Sequence, residues 1–245
     1  MEIPENIQGL CQAFLNGLIA VLGGKLYGFY LYGAVAFPGS DPAGDLDFHV
    51  ILTETLIEKE HHSIHKLHAA LASDFPLLGS ELDAYYILLE EARQTSPPTH
   101  QLRPEIIDNS WALHRAHTRA GRCFMLHGPD PKDVFPPATW RELESALKGE
   151  LKFVEEHLTE YPDYCILNLC RLMYSFETRD VVVSKTAAAK WAHTAFPRWR
   201  RHIECARRSY ARQATIEDRE FMLSEVKGLF DFAGERIQQQ RDNSV

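Results

Sequence analysis

The chain has 245 residues, 45% of them apolar and 24% charged, a balance ordinary for a globular protein of one large domain or two modest ones. Its 26 basic and 34 acidic residues give a formal net charge of −8. That argues against a non-specific nucleic-acid surface or an anionic-membrane surface, and is compatible with a cationic small-molecule ligand. Five cysteines (Cys11, Cys123, Cys165, Cys170, Cys205), odd in number and without a C-x-x-C, read as reduced thiols of a cytoplasmic protein. The N-terminus lacks the basic region of a signal peptide. No apolar run reaches about 18 residues, so no membrane span is expected.

In chain order, Ile7, Leu10, Cys11, Phe14, Leu15, Leu18 and Ile19 recur at three and four, which predicts an amphipathic helix over 4–22 closed by Gly23-Gly24. The aromatic run to Gly33 reads as a strand. A turn-rich segment, Phe37 to Gly44, leads into DLDFHV. There strand alternation puts Leu46, Phe48 and Val50 toward a core, and Asp45, Asp47 and His49 on the other face. Two carboxylates sharing one volume are costly unless a cation lies between them. Oxygen ligands of this hardness suit Mg²⁺ together with substrate phosphates. Gly33 allows close approach of backbone to a ligand. A helix starting just after it would offer free N–H groups to phosphate.

Residues 54–73 read as a helix. His61, His65 and His68 lie near one face of it, but Ile64, Leu67 and Leu71 already supply its apolar side, so the histidines are expected in solvent. After a turn at 75–80, residues 81–88 read as a third strand, with Glu81, Asp83 and Tyr85 on one face and Leu82, Ala84 and Tyr86 on the other. The proline-rich stretch 92–104 reads as a loop able to cross the mouth of a site. Trp111, His114 and His117 fall on the next helix as packing or surface residues. A short apolar segment and a Gly128-Pro129 turn come after it. From Pro137 the pattern is entirely helical: five helices, the second mostly apolar and the third capped by Ser184.

The Gly33 turn, the twelve-residue spacing to Asp45 and the Asp-x-Asp strand resemble the nucleotidyltransferase superfamily. Ala34 and Gly44 stand where relatives usually carry Ser. Arg171, Tyr174-Ser175, Lys185, Ala187 to Ala189 and Trp191 resemble the C-terminal helical domain of the aminoglycoside adenylyltransferases that modify streptomycin and spectinomycin. The resemblance implies an α+β nucleotidyltransferase domain over 1–136, a small mixed sheet flanked by helices, followed by an all-α helical-bundle domain over 137–245. It implies Mg²⁺-dependent transfer of AMP from ATP to a hydroxyl of a cationic acceptor. Asp45 and Asp47 would hold the metal, and the turn at Gly33 and Ala34 the nucleotide phosphates. Asp83, with Glu81 as alternative, would be the third carboxylate. Arg171 and Lys185 would contact phosphate, and Asp163, with Glu160 nearby, the acceptor. A monomer is favoured. A different acceptor, or a nucleotide-binding relative without turnover, stays open.

Overall fold

The computed structural model describes residues 2–38 and 45–242. The turn segment 39–44, and with it the Gly44 position, lies outside them, as does the Glu81 side chain. The chain divides into two compact units, one built from residues up to Ala138 and one from Thr139 onward.

The first unit opens with α1 (Glu5–Leu22) and β1 (Leu26–Tyr32). Next come β2 (Leu46–Leu52), α2 (Glu58–Asp74) and β3 (Leu82–Leu88). The short α3 (Leu89–Ala92), α4 (Trp111–Arg119), β4 (Phe124–His127) and α5 (Pro131–Val134) complete it. The strands form one mixed sheet in the order β3-β2-β1-β4. β1 runs antiparallel to β2 and to β4, and β2 runs parallel to β3. A parallel pair needs a crossover, and α2 provides it. The short apolar segment after α4 is thus an edge strand.

The period-two reading of the strands holds on both faces. Phe29, Leu31, Phe48, Val50, Ala84 and Tyr86 pack with Phe14 and Leu18 of α1 and with Ile64 and Leu71 of α2. The opposite face carries Tyr30, Ile51, Tyr85 and Ile87, which pack against Trp111, Val134 and Phe135. Four of the five cysteines are buried and all five are free thiols.

Three expectations need correction here. The span Glu5–Lys25 is long and apolar enough by composition to cross a bilayer, although Ile7, Leu10, Phe14 and Leu18 of that helix are fully buried in the core. α2 begins at Glu58 rather than 54, because Lys25 bonds the Thr55 carbonyl (3.2 Å) and Glu60 (3.0 Å), holding the incoming chain extended. Glu60 then accepts from the Ile57 N–H at 2.8 Å and starts the helix. His68 does not sit in solvent: it bonds the Tyr86 hydroxyl at 2.8 Å, with its ring edge-on to Phe14.

The second unit holds α6 (Trp140–Glu156), α7 (Pro162–Thr178), α8 (Lys185–Ala195), α9 (Arg200–Tyr210) and α10 (Ile216–Asp242). α7 packs against the other four. Its residues Cys165 to Cys170, Leu172, Met173, Ser175 and Phe176 are buried, which is why it reads as apolar on nearly every side. Ser184 caps α8 by accepting from the Ala187 N–H at 3.0 Å. A 3₁₀ turn, Pro197–Trp199, precedes α9, so that helix starts three residues later than Pro197 suggests.

α6 opens with a reciprocal cap: Glu142 accepts from the Thr139 N–H at 2.8 Å, and the Thr139 hydroxyl accepts from the Glu142 N–H at 3.4 Å. Thr139→Ala is expected to lower stability by about 1 kcal/mol, read as a shift of the urea midpoint at unchanged slope.

Candidate active site

Asp47 lies near the start of β2, with Tyr32 of β1 opposite it on one side and Asp83 of β3 on the other. Strand spacing of about 4.8 Å puts the two aspartates side by side on one sheet face. Asp47 is half-buried, and Asp45 and Asp83 are exposed. Arg103, from the loop after α3, places Nη2 3.0 Å from Asp83 Oδ1. The Tyr85 hydroxyl lies 3.2 Å from the carbonyls of Pro98 and Ile106, and so ties the same loop to β3. The proline-rich loop thus passes beside the carboxylates.

Gly33 ends β1 at φ 76°, ψ −153°, a region essentially reserved for glycine. A Cβ there would stand 1.8 Å from Asp47 Oδ2. The backbone therefore leaves the volume that the carboxylate occupies. Beyond Gly33 the chain makes a single 3₁₀ turn, Ala34–Ala36, not an α-helix. Its closing bonds run from the Ala36 N–H to the Gly33 carbonyl (3.2 Å) and from the Phe37 N–H to the Ala34 carbonyl (3.1 Å).

Among the described residues no three His, Cys, Asp or Glu side chains converge tightly enough to enclose a metal ion unaided. Asp47 and Asp83, paired in the sheet register, are hard oxygen donors of the type that suits a cation whose shell is otherwise water and phosphate oxygens, and Asp45 is exposed two residues before Asp47.

Behind the carboxylates the face is aromatic. His49 is buried and stacks on Tyr32 with ring centroids 4.0 Å apart. Trp111 and Phe135 close over it at 5.6 and 5.5 Å. Burial, and then the neighbouring His114, depress His49 to about 3, so it is neutral near pH 7. Burial, reinforced by Asp47, Asp108 and Asp83, pushes the Tyr32 hydroxyl well up. His114 Nδ1 lies 2.8 Å from Asp108 Oδ2. Burial drives the Asp108 carboxyl up, and the charge and hydrogen bond of His114 more than offset that. Trp111 and His117 are buried packing residues, whereas His114 is paired on the carboxylate side of the sheet.

The remaining sequence candidates belong to the second unit. Arg171 Nη2 lies 3.2 Å from Glu150 Oε2, an oxygen that also accepts from Asn168 Nδ2 at 2.9 Å. Lys185, the first residue of α8, sits 4.0 Å from the centre of the Tyr164 ring. Asp163, in the first turn of α7, accepts from the Ser209 hydroxyl at 2.6 Å and from the Tyr164 N–H at 2.8 Å. Glu160 is exposed. Glu150, Asn168, Arg103, Asp108 and His114 are the polar partners that sequence reasoning missed. A readable signal existed for Asn168: a polar residue three positions before Arg171 inside an apolar helix.

Residues 133–235 match the model of the family described as aminoglycoside adenylyltransferase, C-terminal domain. The second unit is thus similar to that domain, over less than half of the chain. The spectinomycin adenyltransferase AAD(9) from Enterococcus faecialis, solved with ATP and spectinomycin, aligns over 94% of this chain and 98% of its own. Its TM-score is 0.75 at 16% identity, so what the two share is the fold. A toxin–antitoxin complex with AMP-PNP (16% identity, 60% of this chain, 91% of that one) reaches a TM-score of only 0.31. A HEPN toxin with its MNT antitoxin from Shewanella oneidensis (17% identity, 60% and 92%) reaches 0.26. No curated protein matches the chain in sequence.

Gly33→Ala is expected to displace the Asp47 carboxylate and to cost about 1–3 kcal/mol of stability from backbone strain; the melting midpoint should fall. His49 gives a pH signature. Its folded pKa lies below the unfolded value, so its contribution to stability is complete above about pH 6.5 and is lost as pH falls toward 3. At pH 5.5 the loss is about 1.4 kcal/mol. Urea unfolding at pH 7.5 and 5.5 should show a smaller difference for His49→Leu than for the wild type.

Proposed function

We propose that the protein transfers AMP from ATP to a hydroxyl of an aminoglycoside-type acceptor of the streptomycin and spectinomycin class, with Mg²⁺ as the metal. The reading rests chiefly on Gly33 and Asp47: a glycine-only backbone conformation keeps open the place of a carboxylate that lies beside a second one on the next strand. The ATP triphosphate lies along the turn at Gly33 and Ala34. Asp45 and Asp47 would hold Mg²⁺, which when bound would supply positive charge to the phosphate oxygens. Asp83 would either serve as a further metal ligand or take the proton of the acceptor hydroxyl. Arg171, as a planar fork, and Lys185, as a compact charge, counter the charge that grows on the leaving pyrophosphate. Asp163 attracts the cationic acceptor, with Glu160 nearby. The protein works in the cytoplasm, as a monomer, with its domain boundary near residue 137.

One observation favours a different acceptor. The Asp163 carboxylate is already engaged by Ser209 and by its own helix N-terminus, which leaves less capacity for a drug cation.

The test is incubation with Mg²⁺, ATP, and streptomycin or spectinomycin, with mass spectrometry reading a drug that gains one AMP. Asp47→Ala should reduce the product by at least about 1,000-fold, because positioning and charge stabilisation are lost together. Equal product from Asp47→Ala and wild type would remove this site from the reaction.

A further inference from the structure

We propose that Arg103 is a phosphate-binding residue of the nucleotide site, held in waiting by the Asp83 carboxylate and handed to a phosphate oxygen when metal and nucleotide enter. The proposal rests on the AMP-transfer reading above and adds to it a cation that the first unit itself carries.

Arg103 reaches Asp83 by one contact, Nη2 to Oδ1 at 3.0 Å. Asp83 is the register partner of Asp47 across β2 and β3, so the guanidinium stands at the carboxylate pair. Among the described residues, Asp83 is the one carboxylate within ion-pair distance of Arg103. His100 and His68, whose ionisation the Arg103 charge opposes, are both depressed to about 4, by burial first, and are neutral near pH 7. The guanidinium therefore has one anionic partner and spends one nitrogen of its fork on it.

The backbone under Arg103 is pinned, whereas its side chain is not. On one side the Gln101 N–H donates to the Tyr86 carbonyl of β3 at 2.9 Å. On the other, the Ile106 carbonyl accepts from the Tyr85 hydroxyl at 3.2 Å. Between these anchors the Arg103 N–H donates to the His100 carbonyl (3.2 Å), and the Arg103 carbonyl accepts from the Ile106 N–H (3.0 Å). The Arg103 side chain is 48% exposed and that of Asp83 61%. An ion pair this exposed is weak in water and readily exchanged.

Two effects displace it. A divalent cation on Asp83 would meet a positive charge already 3.0 Å from one of the carboxylate oxygens, so cation and guanidinium compete. A phosphate offers the planar fork a bidentate partner of higher charge, which a single carboxylate oxygen does not. A nucleotide carrying its metal supplies both the competing cation and the new anion. Bare metal supplies only the first. Loss of Arg103 therefore acts with opposite sign on the two: bare metal binds more tightly and metal–nucleotide more weakly. A pair that merely ties the loop to β3 has no such crossover.

The experiment measures two affinities in the full-length protein. One is for Mn²⁺ alone, from the electron paramagnetic resonance of the free ion. The other is for the Mg²⁺ complex of α,β-methylene-ATP, by titration calorimetry. Arg103→Gln should bind Mn²⁺ about threefold more tightly and the nucleotide complex about tenfold more weakly, with a melting temperature near wild type. Arg103→Lys should keep the wild-type Mn²⁺ affinity and recover only part of the nucleotide affinity. Asp83→Asn should weaken Mn²⁺ binding, and adding Arg103→Gln to it should no longer tighten that binding. Arg103→Gln with nucleotide affinity at or above wild type, or with Mn²⁺ affinity at or below it, would overturn the assignment. The functional reading fails separately. A crossover in binding, with no drug–AMP product from wild type, Mg²⁺ and ATP, would leave Arg103 as the phosphate ligand and remove the acceptor. Wild type that binds neither Mn²⁺ nor the nucleotide complex would overturn both.

Discussion

The structure of the first unit turns on the contact between the Gly33 backbone and the Asp47 carboxylate. The chain leaves β1 through a conformation that side chains do not tolerate, and the missing Cβ is the space in which Asp47 Oδ2 lies. The antiparallel register to Tyr32 fixes where Asp47 starts β2, and the parallel register to β3 then delivers Asp83 beside it. A one-residue slip in either ladder would send the aspartates into the apolar face. The hydrophobic contacts of Phe29, Phe48 and Phe14 on that face therefore also hold the acidic residues on the other.

The two faces of the sheet accordingly carry different work. One is sealed by α1 and α2 with almost wholly apolar side chains. The other is lined by tyrosine and histidine rings whose polar atoms are kept uncharged by burial, with ionised groups gathered at its rim. Buried neutral rings exclude water while keeping the local dielectric low, which strengthens any charge interaction made at the rim.

Much of this was legible in the sequence because it depends on period and spacing. Alternation in DLDFHV and LDAYYIL assigned the faces, Gly33 marked the turn, and Ser184 marked the start of α8. Pairings between elements with no shared period were not legible. His114 and Asp108 are six residues apart across a helix start, so neither helical nor strand periodicity brings them together. Glu150 and Arg171 lie on different helices, and Arg103 reaches Asp83 from a loop whose path is set by hydrogen bonds to Tyr85. The apolar segment at 124–127 is too short for periodicity to separate strand from loop; its pairing with β1 decides. His68 looked solvent-facing because the rings that enclose it, Phe14 and Tyr86, come from α1 and β3.

The Glu150 oxygen shared by Asn168 and Arg171 bears on how such a protein can change over generations. Replacing either Asn168 or Arg171 removes one donor from the half-buried carboxylate, and replacing Glu150 removes an acceptor from both. Because one oxygen serves both donors, single replacements among the three are expected to cost more than coordinated ones. Drift in α6 and α7 is therefore expected to preserve or exchange this trio as a unit, even as the solvent-facing residues beside it vary freely.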